Sequence, residues 1–128
     1  MGDRTVIGFK ANKDATPVYL YSHWGGSDRY LDVQKAVRAA QPRWDDAAYS
    51  TRIAISQIIG EYWGEETGFG ISAGDDEFAA PDYDDVPVII WDERVVEIIN
   101  AWDRTIVLAR VPFEQVTAMT LTSEESLI

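Results

Sequence analysis

Short apolar segments near the start of the chain have the pattern of β-strands. Residues 5–10 and 17–22 are rich in β-branched and aromatic side chains, which favour strands. The polar stretch between them, residues 11–16, is short and suits a hairpin. Pro17 is tolerated at the first position of a strand, because its missing N–H leaves no ladder hydrogen bond unmade there. The pattern therefore predicts a β-hairpin.

After two consecutive glycines at 25 and 26, the apolar spacing changes to that of a helix. Apolar residues now recur every three or four positions, at Tyr30, Val33, Val37 and Ala40. Ser27 or Asp28 is the predicted N-cap, since short polar side chains bind the free N–H groups of a first helical turn. Pro42 marks the predicted end of this helix, because the residue before a proline disfavours the helical conformation.

A second helix is predicted to begin at Asp45 or Asp46. Its apolar residues repeat with the same spacing, at Ile55, Ile58, Ile59 and Tyr62. We expect the helix to bury that face. Gly60 and Gly64 bracket its predicted end, because glycine favours helix C-termini.

The rest of the chain returns mainly to strand patterns. Residues 67–74 are punctuated by glycines, which indicates either an irregular strand or a loop. Three further strands are predicted, at residues 86–91, 94–99 and 105–111. Pro112 suits the start of a short helix. The tail from Thr120 is polar, and we expect it to be frayed.

The predicted order, ββ then αα then βββ, indicates an α+β fold. We expect one domain over residues 1–128, with an antiparallel sheet of about five strands and two helices packed on one face. A chain of 128 residues with 46% hydrophobic residues is large enough to bury a core of its own.

Charge and composition narrow the function classes. The net charge is −11, and it is divided unevenly: residues 1–43 carry +3 and residues 44–128 carry −14. Direct binding to nucleic acid or to an anionic membrane is disfavoured, because phosphate contacts need clustered Lys and Arg. The chain has no cysteine and one histidine, so we expect no metal site and no cofactor. No apolar stretch approaches the roughly 20 residues that span a bilayer, and the N-terminus lacks a signal-peptide pattern. We therefore expect a cytoplasmic protein.

The loop between the second strand and the first helix is the strongest candidate site. Glycine backbone and a helix N-terminus can direct several N–H groups at one anion, and an arginine can add charge-assisted hydrogen bonds. The predicted ligand-binding residues are His23, Trp24, Gly25, Gly26, Ser27, Arg29, Trp44 and Arg52. The alternative is an ordinary tight turn in which Asp28 occupies the helix cap.

Whether Arg52 and Trp44 belong to this site depends on how the two helices pack. If the two helices form a hairpin, Arg52 reaches the loop together with Arg29, and two guanidinium groups grip a phosphate. Alternatively, Arg52 bonds within its own helix near Asp45, Asp46 or Ser56. Trp44 and Trp24 flank the first helix and are predicted to wall a pocket.

His23 offers a catalytic alternative, because histidine can act as a general base. However, Ser22 is adjacent in sequence, so in a strand the two side chains point to opposite faces. The one Gly-x-Ser-x-Gly match, Gly70-Ile71-Ser72-Ala73-Gly74, is followed by an acidic stretch and not by a helix pattern, so it does not have the strand-to-helix context of a nucleophile elbow. A structural or ligand-contacting histidine is therefore the favoured interpretation.

A second candidate surface is acidic. Its residues are Asp75, Asp76, Glu77, Asp82, Asp84 and Asp85, with no basic residue among them. They could form a solvated loop, an irregular Ca²⁺ site, or a partner-binding surface that mimics nucleic-acid phosphates.

Three segments resemble one group of proteins. They are Leu20-Tyr21-Ser22-His23-Trp24-Gly25-Gly26, Arg43-Trp44-Asp45 and Gly68-Phe69-Gly70-Ile71-Ser72. In these the chain resembles small, largely uncharacterised accessory proteins of actinobacterial phages and prophages. The resemblance implies action inside the host cell, often by binding and disabling a host component, and it supplies no active site.

The favoured hypothesis is a non-catalytic binding protein that sequesters a nucleotide-like or other anionic small molecule and so antagonises host defence. A homo-oligomer could complete such a site. One alternative is an acidic inhibitor of a host protein that acts through residues 75–85. The other is a small hydrolase that uses His23.

Overall fold

One mixed β-sheet of six strands forms the centre of the computed structural model, which describes residues 2–74 and 81–128. The strands are β1 (Thr5–Lys10), β2 (Val18–Ser22), β3 (Phe69–Ala73), β4 (Asp85–Ile90), β5 (Val95–Asn100) and β6 (Val107–Pro112). Their spatial order is β3-β2-β1-β4-β5-β6. The prediction of an α+β fold is confirmed, and residues 69–73 of the ambiguous glycine-rich segment form an edge strand.

The sheet is not purely antiparallel, so that part of the prediction is wrong. β1 and β4 are parallel, with Gly8 opposite Val88, whereas every other neighbouring pair is antiparallel. A short hairpin forces its two strands to run antiparallel, but the long connection from β2 to β4 allows either direction. β4 is buried from Val86 to Ile90, and this continuous apolar run is typical of a strand covered on both faces.

Two principal helices pack as a hairpin against one face of the sheet. The helices are α1 (Arg29–Ala40), α2 (Ala47–Ile59) and a short α3 (Phe113–Ala118). Asp46 caps α2 as predicted, because its side chain accepts the N–H of Tyr49 at 3.2 Å. Gly60 ends that helix with a φ of +58°, a conformation that favours glycine.

Both faces of the sheet are buried. The core between helices and sheet includes Phe9, Leu20, Val33, Ile55, Trp91 and Phe113. A second cluster on the opposite face includes Val6, Tyr19, Val88 and Ile99. The tail also contributes, since Leu127 is buried in the first core and not frayed as expected. Within the described residues, no helix combines the length and apolar character needed to cross a membrane.

Candidate functional site

The loop predicted to cradle an anion already holds a carboxylate of the protein itself. Ser27 donates its backbone N–H to Asp3 Oδ1 at 2.8 Å and its hydroxyl to Asp3 Oδ2 at 3.0 Å. The N–H of Gly26 donates to the carbonyl oxygen of Asp3 at 2.8 Å, and the Tyr83 hydroxyl donates to Oδ1. The geometry of the cradle therefore exists, and Asp3 occupies it.

Arg29 is likewise engaged inside the fold. Its side chain is largely buried, and its Nε and Nη2 donate to Asp85 Oδ1 at 3.0 and 2.6 Å. Nη1 donates to the carbonyl of Gly26 at 2.7 Å, and the guanidinium lies 4.2 Å from the centre of the Tyr83 ring. All three guanidinium nitrogens thus join the start of α1 to β4 and to the loop.

The two glycines differ in what a side chain would meet. A Cβ on Gly26 would lie 2.2 Å from the Tyr83 ring and 2.8 Å from the Asp3 carbonyl, and one on Gly25 would lie 2.4 Å from Ser22 Oγ. At Gly26 the contacts are with backbone and with a packed ring, so a side chain there would force the loop to move, whereas at Gly25 the contact is with a hydroxyl that can rotate. Gly26 is therefore required by the packing of the fold whether or not a ligand binds.

Trp44 and Arg52 lie away from this loop. Trp44 follows the other end of α1, about 18 Å along a helix of that length. Its Nε1 donates to the Val37 carbonyl at 2.9 Å, and its ring packs against Phe113. Arg52 is exposed on α2, with Nη1 3.5 Å from Ser56 Oγ, which is the alternative left open above. The structure therefore does not group Arg52 with Arg29, or Trp44 with Trp24.

His23 and Trp24 are both exposed beside the loop. His23 Nδ1 lies 2.5 Å from the Tyr21 hydroxyl, and its ring meets the Trp24 ring at a centroid distance of 4.8 Å. Ser22 is buried and lies on the opposite face of the strand, so it makes no pair with His23. Trp24 itself is 67% exposed.

The predicted acidic surface is only partly described. Asp75, Asp76 and Glu77 lie outside the described residues. Asp82 pairs with Arg4 at 3.0 Å, and hydrogen bonding from that guanidinium lowers the pKa of Asp82 to about 2. Asp85 pairs with Arg29, while Asp84 is exposed. Two of the three described carboxylates therefore hold the fold together.

A cleft that the sequence analysis missed lies directly beside the glycine loop. It has a volume of about 660 Å³ and lies between the end of β2, the first turns of α1 and the segment from Tyr62 to Phe69. Its walls combine aromatic side chains with carboxylates: Trp24, Tyr62, Phe69, Asp28, Asp32 and Glu65. No lysine or arginine is among the described residues that line it. We call this site the acidic aromatic cleft.

Asp32 gives the acidic aromatic cleft its chemical character. Burial, together with the nearby charge of Asp28, raises the pKa of Asp32 to about 7, while Lys35 acts in the opposite direction. Across residues 2–74 and 81–128, the Asp32 carboxylate accepts no hydrogen bond and forms no ion pair. Asp28, by contrast, accepts hydrogen bonds from Ser123 Oγ at 2.6 Å and from the N–H of Glu124 at 3.0 Å. Asp28 therefore does not cap α1 with its side chain.

The arrangement suits a cation rather than an anion. A desolvated carboxylate without a partner gains most from an opposite charge, and aromatic faces attract cations through their ring quadrupoles. Asp28 directly precedes α1 and Asp32 follows four residues later in its first turn, and this spacing was a visible signal for the cleft. The prediction that Tyr62 belongs to the buried face of the second helix is wrong, because Tyr62 lies beyond the end of α2 and is 54% exposed. Glu65 gave no signal, since only tertiary packing brings these two residues beside α1.

Neither the described side chains nor comparison with known proteins assigns a metal site or a family to this chain. Over the described part of the chain, no three His, Asp or Glu side chains are grouped to hold a metal ion. No family model matches the sequence, and no curated protein or solved structure matches it significantly.

Proposed function

We propose that this protein is a non-catalytic binding protein and that its ligand presents a cationic group to the acidic aromatic cleft. The observation that carries the proposal is the half-buried Asp32 carboxylate, which lines the cleft with Trp24 and Tyr62 and has no hydrogen-bond or ion-pair partner among residues 2–74 and 81–128. A ligand cation would supply the missing charge. Cation–aromatic contacts add about 0.5–2 kcal/mol, depending on how far the pair is desolvated.

The phage resemblance suggests where such a group would come from. In that context the protein acts in the host cytoplasm, and the cation belongs to a host protein that binding disables. The net charge of −11 favours a basic partner, because complementary charge speeds association and rejects acidic competitors. This function unites the binding hypothesis with the alternative of an acidic inhibitor, but it locates the binding surface in the cleft instead of in residues 75–85.

A lysine mimic tests the proposal directly. We expect N-acetyl-lysine methylamide to shift the backbone amide resonances of the acidic aromatic cleft in an NMR titration, with a Kd of about 1 mM, equivalent to about 4 kcal/mol. The neutral analogue N-acetyl-norleucine methylamide should leave them unchanged. Asp32→Asn should abolish the response, while the matched charge change at an exposed site, Asp92→Asn, should not. Equal responses to the two analogues would overturn the proposal.

A second depression keeps the hypothesis of an anionic ligand open at a different place. It has a volume of about 360 Å³, and Lys10, Lys13 and Arg104 line it together with Tyr19, on whose ring Arg104 stacks at 4.5 Å. Under this alternative, ADP shifts the amide resonances of Lys10 and Lys13, and the double variant Lys10→Ala/Lys13→Ala loses the response. ADP shifts that survive in the double variant would count against it.

A further inference from the structure

The outer edge of β3 has no pairing partner among the residues that the structure describes, 2–74 and 81–128. Within these ranges β3 is the terminal strand of the sheet and pairs with β2 alone. We propose that the free edge of β3 receives an extended, basic segment of a partner protein as an additional strand. The identity of the cation rests on the proposed function, because a lysine or arginine of that segment would enter the acidic aromatic cleft.

The register shows which backbone groups are available for pairing. The N–H of His23 donates to the Gly68 carbonyl at 2.9 Å, and the N–H of Gly74 donates to the Pro17 carbonyl at 2.9 Å. In an antiparallel pair the hydrogen-bonded residues alternate, so Gly70 and Ser72 also face β2. Phe69, Ile71 and Ala73 consequently direct their N–H and C=O groups outward.

This edge lacks the features that usually block strand addition. Proteins protect exposed edges with charged side chains, proline or bulges. The sequence of β3, Phe-Gly-Ile-Ser-Ala, contains neither charge nor proline. The opposite edge strand, β6, carries Arg110 and Pro112, and its pairing with β5 is interrupted by a register shift, although it also exposes Val107 and Leu108.

A groove for side chains accompanies the open edge. Ile71 is 52% exposed and, together with Trp63 and Ile59, lines a depression of about 190 Å³. This depression shares Tyr62, Glu65 and Phe69 with the acidic aromatic cleft, so the two lie next to each other along this side of the sheet. Alternate side chains of an added strand are about 6.8 Å apart and would enter the groove on the helix side of the sheet.

The acidic residues near the groove favour a basic segment as the added strand. Residues 60–74 contain Glu61, Glu65 and Glu66 and no lysine or arginine. A second copy of this chain would offer only the uncharged β3 strand and its own acidic residues 61–66, so it would bring no cation to the groove. A segment with a basic residue at every second position would direct its cations into the groove while its backbone pairs with the edge.

A defined peptide tests the inference. The probe is a nine-residue peptide of alternating lysine and valine, and its counterpart has glutamate in place of lysine. We expect the lysine peptide to slow hydrogen exchange at least tenfold at the amides of Phe69, Ile71 and Ala73. Gly70 and Ser72, already bonded to β2, should change little. Binding of the lysine peptide without protection of the three outward amides would overturn the inference.

A matched pair of variants separates this inference from the proposed function. Ile71→Pro removes one outward N–H without touching the β2 ladder, and Ile71→Thr keeps that N–H while removing the apolar side chain. We expect Ile71→Pro to weaken peptide binding at least tenfold while retaining binding of N-acetyl-lysine methylamide. Ile71→Thr should weaken peptide binding less. If Ile71→Pro binds the peptide like the wild type, strand addition is refuted and the cleft proposal stands.

Two further outcomes would also be decisive. If the peptide protects the outward amides but the lysine mimic leaves the cleft unchanged, the strand inference stands and the proposed function fails. If sedimentation shows a wild-type dimer that Ile71→Pro converts to a monomer, the occupant is a second copy, and the assignment to a basic partner is overturned.

Discussion

The carboxylates on the two sides of the loop between β2 and α1 differ in whether they are paired. On one side, Asp3 and Asp85 receive hydrogen bonds from the backbone, from Ser27 and from Arg29. On the other side, Asp32 lies in a cleft with no partner among the described residues, and burial raises its pKa to about 7. The paired charges hold the loop in position, whereas Asp32 is the carboxylate that the proposed cationic ligand would pair with. The glycine pair and the arginine in the sequence drew attention only to the paired side.

Removing the central cation of the paired side should have the largest effect. Arg29→Ala leaves the Asp85 carboxylate and the Gly26 carbonyl without their donors. We expect unfolding free energy to fall by about 3–5 kcal/mol, the usual cost of breaking a buried ion pair. Urea denaturation measures this change. The matched substitution at an exposed site, Arg52→Ala, should cost under about 0.5 kcal/mol. Similar losses in both variants would show that Arg29 has no special structural role.

Removing the Asp3 carboxylate from the glycine loop should show how much the paired side contributes to stability. Asp3→Ala removes the acceptor for the Ser27 N–H and hydroxyl and for the Tyr83 hydroxyl. We expect a loss of about 1–3 kcal/mol, typical of hydrogen bonds to a charged group. Because the variant would expose an anion site, added phosphate should raise its melting temperature more than that of the wild type. Equal effects of phosphate on both proteins would contradict this interpretation.

Neutralising the unpaired carboxylate should stabilise the protein. The pKa of Asp32 lies near 7 in the folded protein, against an ordinary value of 3.8, so the folded state holds the proton more tightly than the unfolded chain. Stability therefore falls as pH rises from about 4 to about 7 and stays lower above it. Asp32→Asn removes this penalty.

We expect the gain from Asp32→Asn to grow across that window and reach roughly 1–3 kcal/mol at pH 8, below the full value of the shift because solvent still reaches the group. Urea denaturation at pH 5 and pH 8 measures it, with Asp92→Asn as the matched control. A gain that is independent of pH would show that Asp32 does not titrate in this range.

The smallest effect on stability should come from the exposed aromatic wall. Trp24 and Trp102 are both 67% exposed, which makes them a matched pair. Replacing either with alanine should change unfolding free energy by under about 1 kcal/mol. Only Trp24→Ala should weaken binding of N-acetyl-lysine methylamide, by roughly 2- to 30-fold, as loss of one cation–aromatic contact implies. Equal affinities in the two variants would remove Trp24 from the site.

Much of the local structure followed from local patterns. The segment 5–10 is β1 as predicted, Pro42 lies just beyond α1, and Asp46 caps α2. The candidate site was harder to predict. The glycine loop directs the N–H groups of Gly26 and Ser27 at Asp3, and this occupant could not be read from the sequence, because Asp3 lies 24 residues away from Ser27.

The sequence by itself determined approximately where most strands and the two main helices lie, and which residues mark the end of α1 and the two ends of α2. These properties depend on apolar periodicity and capping, which act over a few residues. Only the tertiary structure decided that β4 pairs in parallel with β1, that Asp85 meets Arg29 across 56 positions, and that Leu127 joins the core. It also decided that Tyr62 and Glu65 complete a cleft around Asp32. Such contacts depend on how the whole chain closes its core, and each segment alone is compatible with several arrangements.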